Sequence, residues 1–154
     1  MTKDEELLPP GLGRRLMAML YDTFLVLPLV MVSVGIGLGL FTLATGNADA
    51  GLSPNAVRLL IMLTLIAFFS VFWLKNGQTL GMQAWRVKLV RSDGGDLALQ
   101  HCLRRCVGAA LSAACLGLGY LWCLVDRRGR YWHDYLSGSE LVLMPKSEKS
   151  VTKT

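Results

Sequence analysis

Residues 16–45 read LMAMLYDTFLVLPLVMVSVGIGLGLFTLAT, thirty positions whose only formal charge is Asp22. A helix of about 20 residues covers the ~30 Å hydrocarbon core of a bilayer. This run is long enough to cross at a tilt, or to begin in the headgroup layer. Pro28 inside it marks a kink that a membrane helix tolerates. Gly35 and Gly39 are spaced for close approach of a second helix. A secretory signal is excluded as the reading, although Arg14-Arg15 precede the run and Ala48-Asp49-Ala50 resembles a cleavage site. A signal's apolar region is about 7–15 residues, half of what is present.

Working outward, Ala56–Leu74 is a second apolar run. Pro54-Asn55 start it, Arg58 lies in its first turn, and Trp73 and Lys75 anchor its end. A third, Cys106–Val125, continues a helix expected from Leu97 with Asp96 as its cap. Gln100, His101, Arg104 and Arg105 make its beginning amphipathic, and Gly117 and Gly119 interrupt it. Helices are thus predicted over about 16–45, 56–75 and 97–125, within a membrane domain at 14–144. Residues 1–13 precede that domain as a cytoplasmic segment, and a polar, Lys- and Ser-rich tail at 145–154 follows it.

Composition agrees. The 154 residues are 53% hydrophobic and 18% charged, with mean hydropathy +0.43 and net charge +5. Soluble domains carry roughly 25% charged residues. This balance excludes a disordered chain, a nucleic-acid module and most small cytosolic enzymes. The expected class is an all-α integral membrane protein with two transmembrane helices and a third apolar helix, spanning or re-entrant.

Basic residues set the orientation. Arg14 and Arg15 flank the first run, and the loop after the second carries Lys75, Arg86, Lys88, Arg91, Arg104 and Arg105. The loop at 46–55 has no Lys or Arg. The N-terminus and middle loop are expected in the cytoplasm of a multi-pass inner-membrane protein. Two stretches then bear on the third run. Residues 86–91 alternate like a strand before the turn Ser92-Asp93-Gly94-Gly95, and Glu140–Leu143 is strand-like too. If they form a small cytoplasmic β pair, both lie on one side, and the third run must enter and return near Gly117–Gly119. A straight third crossing stays open as the alternative.

The segment from Arg14-Arg15 to Asp22, then Thr79-Leu80-Gly81 with Arg86-Val87 and Asp93-Gly94, then Tyr120 to Arg130 and His133-Asp134-Tyr135-Leu136-Ser137-Gly138, resembles the RDD family of small membrane proteins across residues 8–144. Met82-Gln83 depart from it, standing where a basic residue often follows the glycine. The resemblance implies that the family's arginine is Arg15, or Arg14 if the register slips by one. It places the family's aspartates at Asp22 and Asp134, and implies transport of ions or small ligands.

An ionised Asp at mid-helix costs ~2.5–3.5 kcal/mol on insertion scales. Asp22 avoids that cost by protonation, by pairing, or by facing a wet cavity. It therefore reads either as a titrating carboxylate for proton-coupled transport or as a structural partner of a basic residue from the C-terminal segment. Arg15 and Asp134 are expected to pair at the cytoplasmic surface. His133, with an ordinary pKa near 6–7, is either a titrating group or an interfacial side chain among Tyr131, Trp132 and Tyr135. Arg14 and Asp126 complete this ion pathway or structural charge network. Lys75, Arg86, Arg104, Arg105, Arg127 and Arg128 are expected to contact anionic headgroups.

His101, Cys102 and Cys106 share a helix face but lack metal-site spacing, so neither metal nor cofactor is expected. No catalytic motif is present, and the chain is not read as an enzyme. Expected partners are the bilayer and a second copy through Gly35/Gly39, not nucleic acid. Two functions compete: a small transporter of cations, protons or a small ligand using Asp22, and an accessory or scaffolding protein whose charges are structural.

Overall fold

A computed structural model describes residues 8–47, 51–126 and 129–145. The N-terminal residues 1–7, Ala48-Asp49-Ala50, Arg127, Arg128 and the tail from 146 lie outside the described residues. Helix α1, Leu12–Thr45, begins four residues before the apolar run and ends where Gly46 takes the left-handed conformation (φ 67°). Its 34 residues reach about 51 Å. Pro28 lies inside it. Helix α2 spans Pro54–Asn76; the Ser53 hydroxyl caps it by accepting the Ala56 N–H, and Gly77 ends it. Both are long and apolar enough to cross a bilayer. Their outer faces carry bare apolar side chains, with Met31 74% and Leu43 82% exposed. Such faces suit lipid, not water.

The two spans touch through small and hydroxyl side chains. A Cβ at Gly37 would meet Leu60 Cδ1 at 2.6 Å, and Thr64 donates to Ser33 at 2.9 Å. The close approach runs through Gly37, while Gly35 and Gly39 face nothing within 4 Å.

Beyond α2 the chain forms the short helix α3 (Leu80–Ala84), strand β1 (Val87–Arg91), helix α4 (Leu99–Ala114), helix α5 (Leu118–Leu121) with a 3-10 turn at Trp122–Leu124, helix α6 (Trp132–Ser137) and strand β2 (Ser139–Leu143). The strands pair antiparallel, Val87 opposite Leu143 and Arg91 opposite Ser139, as the two alternating stretches predict. The core beneath them is Ala18, Trp73, Met82, Val87, Leu89 and Cys102.

The third run is not one straight helix. α4 and the following pair, α5 with its 3-10 turn, are bent by 107°. Leu116 (φ 56°) and Gly117 (φ 78°) are consecutive left-handed residues at the break. Gly119 lets the return leg close on α4, since a Cβ there would sit 2.1 Å from Ser112 Oγ. The Tyr120 hydroxyl then pins that leg by donating to the Ala109 carbonyl at 3.2 Å. Because Arg91 and Ser139 are partners, the chain between them leaves and comes back to one place. Asp96 is not the cap of α4. Ala98 holds that position, and its N–H donates to His101 Nδ1 at 3.1 Å.

α4 is inside out. Its buried face is His101, Cys102, Arg105, Gly108 and Ser112, and its exposed face carries Leu99, Leu103, Val107 and Leu111. A helix that turns leucines outward and an arginine inward is built for an apolar surrounding.

Candidate functional site

The inward face of α1 carries Arg15, Ala18, Asp22 and Val26, one stripe at helical spacing. Two polar clusters form along it. In the first, the Asp22 carboxylate is 5% exposed and receives two neutral donors. The Thr79 hydroxyl donates to Oδ2 at 2.5 Å, and the Gly81 N–H to Oδ1 at 2.9 Å. Thr79 also caps α3 by accepting the Met82 N–H at 3.2 Å. Gly81 is required sterically, because a Cβ there would lie 2.2 Å from the Ala18 carbonyl oxygen. The companion of Asp22 is therefore neither cationic nor from the chain's end. It comes from the middle loop, and among the described residues no ion pair reaches this carboxylate.

The second cluster centres on Arg105 and Asp134. These two form an ion pair, 4% and 1% exposed respectively. Arg105 Nη1 also donates to Ser139 at 3.2 Å, and its guanidinium lies 5.4 Å from the Trp73 ring centre. The other carboxylate oxygen of Asp134 accepts the Tyr131 N–H at 2.8 Å. Arg105 is thus no headgroup contact. Its place one turn from Cys102 and Gly108 on the face of α4 that meets α6 buries it. Arg15 does not pair with Asp134, because Arg105 holds that carboxylate. Arg15 instead gives Nε to the Pro10 carbonyl at 2.8 Å and stacks 4.7 Å from the Tyr131 ring centre. Tyr131 joins the two, touching Arg15 with its ring and Asp134 with its backbone.

His133 lies inside this cluster, 4% exposed, between the rings of Tyr120 and Tyr131. Burial, reinforced by Arg105, pushes its pKa down to about 3 against the opposing pull of Asp134. Of the two readings of His133, its burial against aromatic rings favours the side chain held among them over the titrating group, and the lowered pKa keeps the imidazole neutral at pH 6–7. Burial likewise raises the Tyr131 phenol, against the Arg15 guanidinium. Asp126 accepts the Arg130 N–H and the Tyr135 hydroxyl, both at 2.8 Å. Arg14 is half-buried beside Arg15, Lys75 and Arg104 are exposed, and Arg86 is half-buried at φ 57° between α3 and β1. Arg127 and Arg128 fall outside the described residues.

Sequence reasoning missed Thr79, Gly81, Tyr131 and Ser139 as site residues. Thr79 carried a signal, a hydroxyl residue at a helix start. Ser139 carried none. Among the described residues no group of three His, Cys, Asp or Glu side chains is placed to hold a metal ion. Residues 9–138 match the family described as the RDD family. Neither a curated relative nor a solved structure matches the chain.

Proposed function

The chain belongs to the RDD family and is a small membrane protein, and on that premise we propose that it moves cations or protons across the cell membrane with Asp22 as the titrating carboxylate. One observation carries this reading. A carboxylate sits buried on a spanning helix with only neutral donors beside it. Among the described residues no permanent cation fixes its charge, so gain and loss of a proton or cation is open to it. Two crossings and a re-entrant leg do not enclose a path alone. The working form is therefore an oligomer of this chain, for which the open face of α1 at Gly35 and Gly39 offers a contact. On this reading the exposed Lys75 and Arg104 would face anionic headgroups of the cytoplasmic leaflet, with the N-terminal end of α1, β1 and β2 on that side, an orientation that rests on the positive-inside rule. No catalytic role is assigned.

Asp22→Asn tests it. Asn keeps an oxygen for the Gly81 N–H, and its NH2 donates to the Thr79 hydroxyl, which also accepts. The fold survives and the charge is lost. In reconstituted vesicles, pH-driven cation flux should fall at least about tenfold, the scale set by removing a proton-carrying group. Parent flux no greater than that of empty vesicles ends the reading.

A second reading has its own observation. Both oxygens of Asp22 and both of Asp134 are already engaged within the chain. An accessory or scaffolding protein whose charges only lock the fold needs no more. It expects Asp22→Asn to lower stability with no flux to lose.

A further inference from the structure

The start of α1 gathers positive charge that nothing in the described chain balances. Its cap position is Gly11, which has no side chain to accept the free N–H groups of the first turn. The first turn holds no acidic residue, yet Arg14 and Arg15 lie there, at the positive end of the helix dipole. Independently, Arg15 is 4% exposed, and among the described residues its buried Nη1 has no hydrogen-bond partner. The guanidinium is folded back to the helix start by its Nε bond to the Pro10 carbonyl. Tyr131 covers one face of it, and the space beside Gly129 and Pro9 lies against Nη2. Arg105 cannot share its counter-charge, because Asp134 is bound to it on one oxygen and to Tyr131 on the other. A buried guanidinium with a free N–H and, among the described residues, no anion is a site short of its ligand.

We infer that the Gly11-Leu12-Gly13 start of α1, together with Arg15, binds a phosphate group. Several features select that chemistry. Outward N–H groups at a helix start and a forked guanidinium both match an oxyanion with several oxygens. Gly11 and Gly13 leave the approach open, since a Cβ at either would meet nothing within 4 Å. The helix enters the apolar layer just beyond Arg15, so the site lies at the depth of lipid phosphates. The phosphate is supplied either by an anionic lipid or by a soluble phosphate, and the site is separate from Asp22.

The test uses the full chain in a neutral detergent. Inorganic phosphate and a short-chain phosphatidylglycerol are titrated separately, reading the unfolding temperature and 31P line broadening. Stabilisation by the lipid alone identifies the lipid source, and stabilisation by inorganic phosphate identifies the soluble one. Arg15→Gln should weaken the effective ligand at least about tenfold. Because that variant also removes the contact to Tyr131, Gly13→Asp serves as a second. It places a carboxylate at the helix start in open space, so it should raise the unfolding temperature by itself and abolish the response to phosphate. If neither ligand acts on the parent chain, or both act equally on the parent and on Gly13→Asp, the inference is overturned.

Discussion

The Thr79 hydroxyl donates to the Asp22 carboxylate at 2.5 Å across 57 residues of sequence, and this bond ties the first span to the middle loop. Thr79 is fully buried. Thr79→Val keeps the volume and removes the donor, leaving a buried carboxylate with one bond fewer. The expected loss is about 1.5–3 kcal/mol of stability, the range for hydrogen bonds to charged groups. Thr79→Ser should recover most of it. Thermal unfolding in detergent checks both, and a Val variant as stable as the parent would show the bond to be dispensable.

Gly81 makes a sharper case because the obstacle is backbone. A methyl group there would press on the Ala18 carbonyl at 2.2 Å and on Asp22 Cγ at 2.9 Å. Neither can swing aside without moving α1. Gly81→Ala should cost about 1–3 kcal/mol or more by overpacking and should detach α3 from Asp22. Gly35→Ala and Gly39→Ala face open space and should leave the isolated chain within about 0.5 kcal/mol of the parent. The measurement is a comparison of unfolding midpoints across the three variants.

Arg105 and Asp134 form a pair that tolerates loss of both members better than loss of one. Removing one leaves a buried charge unpaired, at about 3–5 kcal/mol. Asp134→Asn should therefore unfold the chain more readily than Arg105→Met with Asp134→Leu together. Arg105→Lys should not rescue, because the guanidinium also reaches Ser139 and lies against Trp73. A double-mutant cycle with no coupling energy would show that the pair is not a unit.

His133 gives the chain an acid sensitivity of definite sign. Its folded pKa, about 3, lies below the ordinary 6.5, so the unfolded chain binds the extra proton between those values. Stability from this group is complete above pH 6.5. It is lost as pH falls from there toward 3, amounting to a few kcal/mol. His133→Gln should flatten the unfolding temperature between pH 6.5 and 4.5. An unchanged slope in that variant would assign the acid sensitivity to other groups.

How far the sequence carries can be followed residue by residue. The spans were legible because apolar runs report the surrounding solvent directly. The β pair was legible because Arg86 to Arg91 alternates and cannot stand unpaired. The partner of Asp22 was not. A search for a cation overlooks the neutral pair of a hydroxyl and a backbone N–H, and only Gly81's missing side chain lets that N–H come so near. Arg105 reads as a surface residue because it stands with Arg104 in the basic cluster that precedes the third apolar run. Its burial depends on α6 arriving from 29 residues further on, a tertiary fact absent from local pattern.

The return of the third apolar run has a topological consequence. Arg91 and Ser139 are paired, so residues just before β1's turn and just after β2 must lie on one side of the bilayer. The loop between α1 and α2 must lie on the other, since each of those helices crosses once. Single cysteines in a background without the native four, at Asp93, Pro145 and Gly51, make this measurable. Asp93 and Pro145 are exposed beside the sheet, and Gly51 is exposed in the opposite loop. A membrane-impermeant thiol reagent applied to sealed right-side-out vesicles should label Gly51→Cys alone. It should label Asp93→Cys and Pro145→Cys together once the membrane is opened. Labelling of Pro145→Cys from the outside while Asp93→Cys stays protected would mean that α4 and its bent continuation form a third full crossing. The strand pair would then have to come apart, because no pairing survives a bilayer between its members.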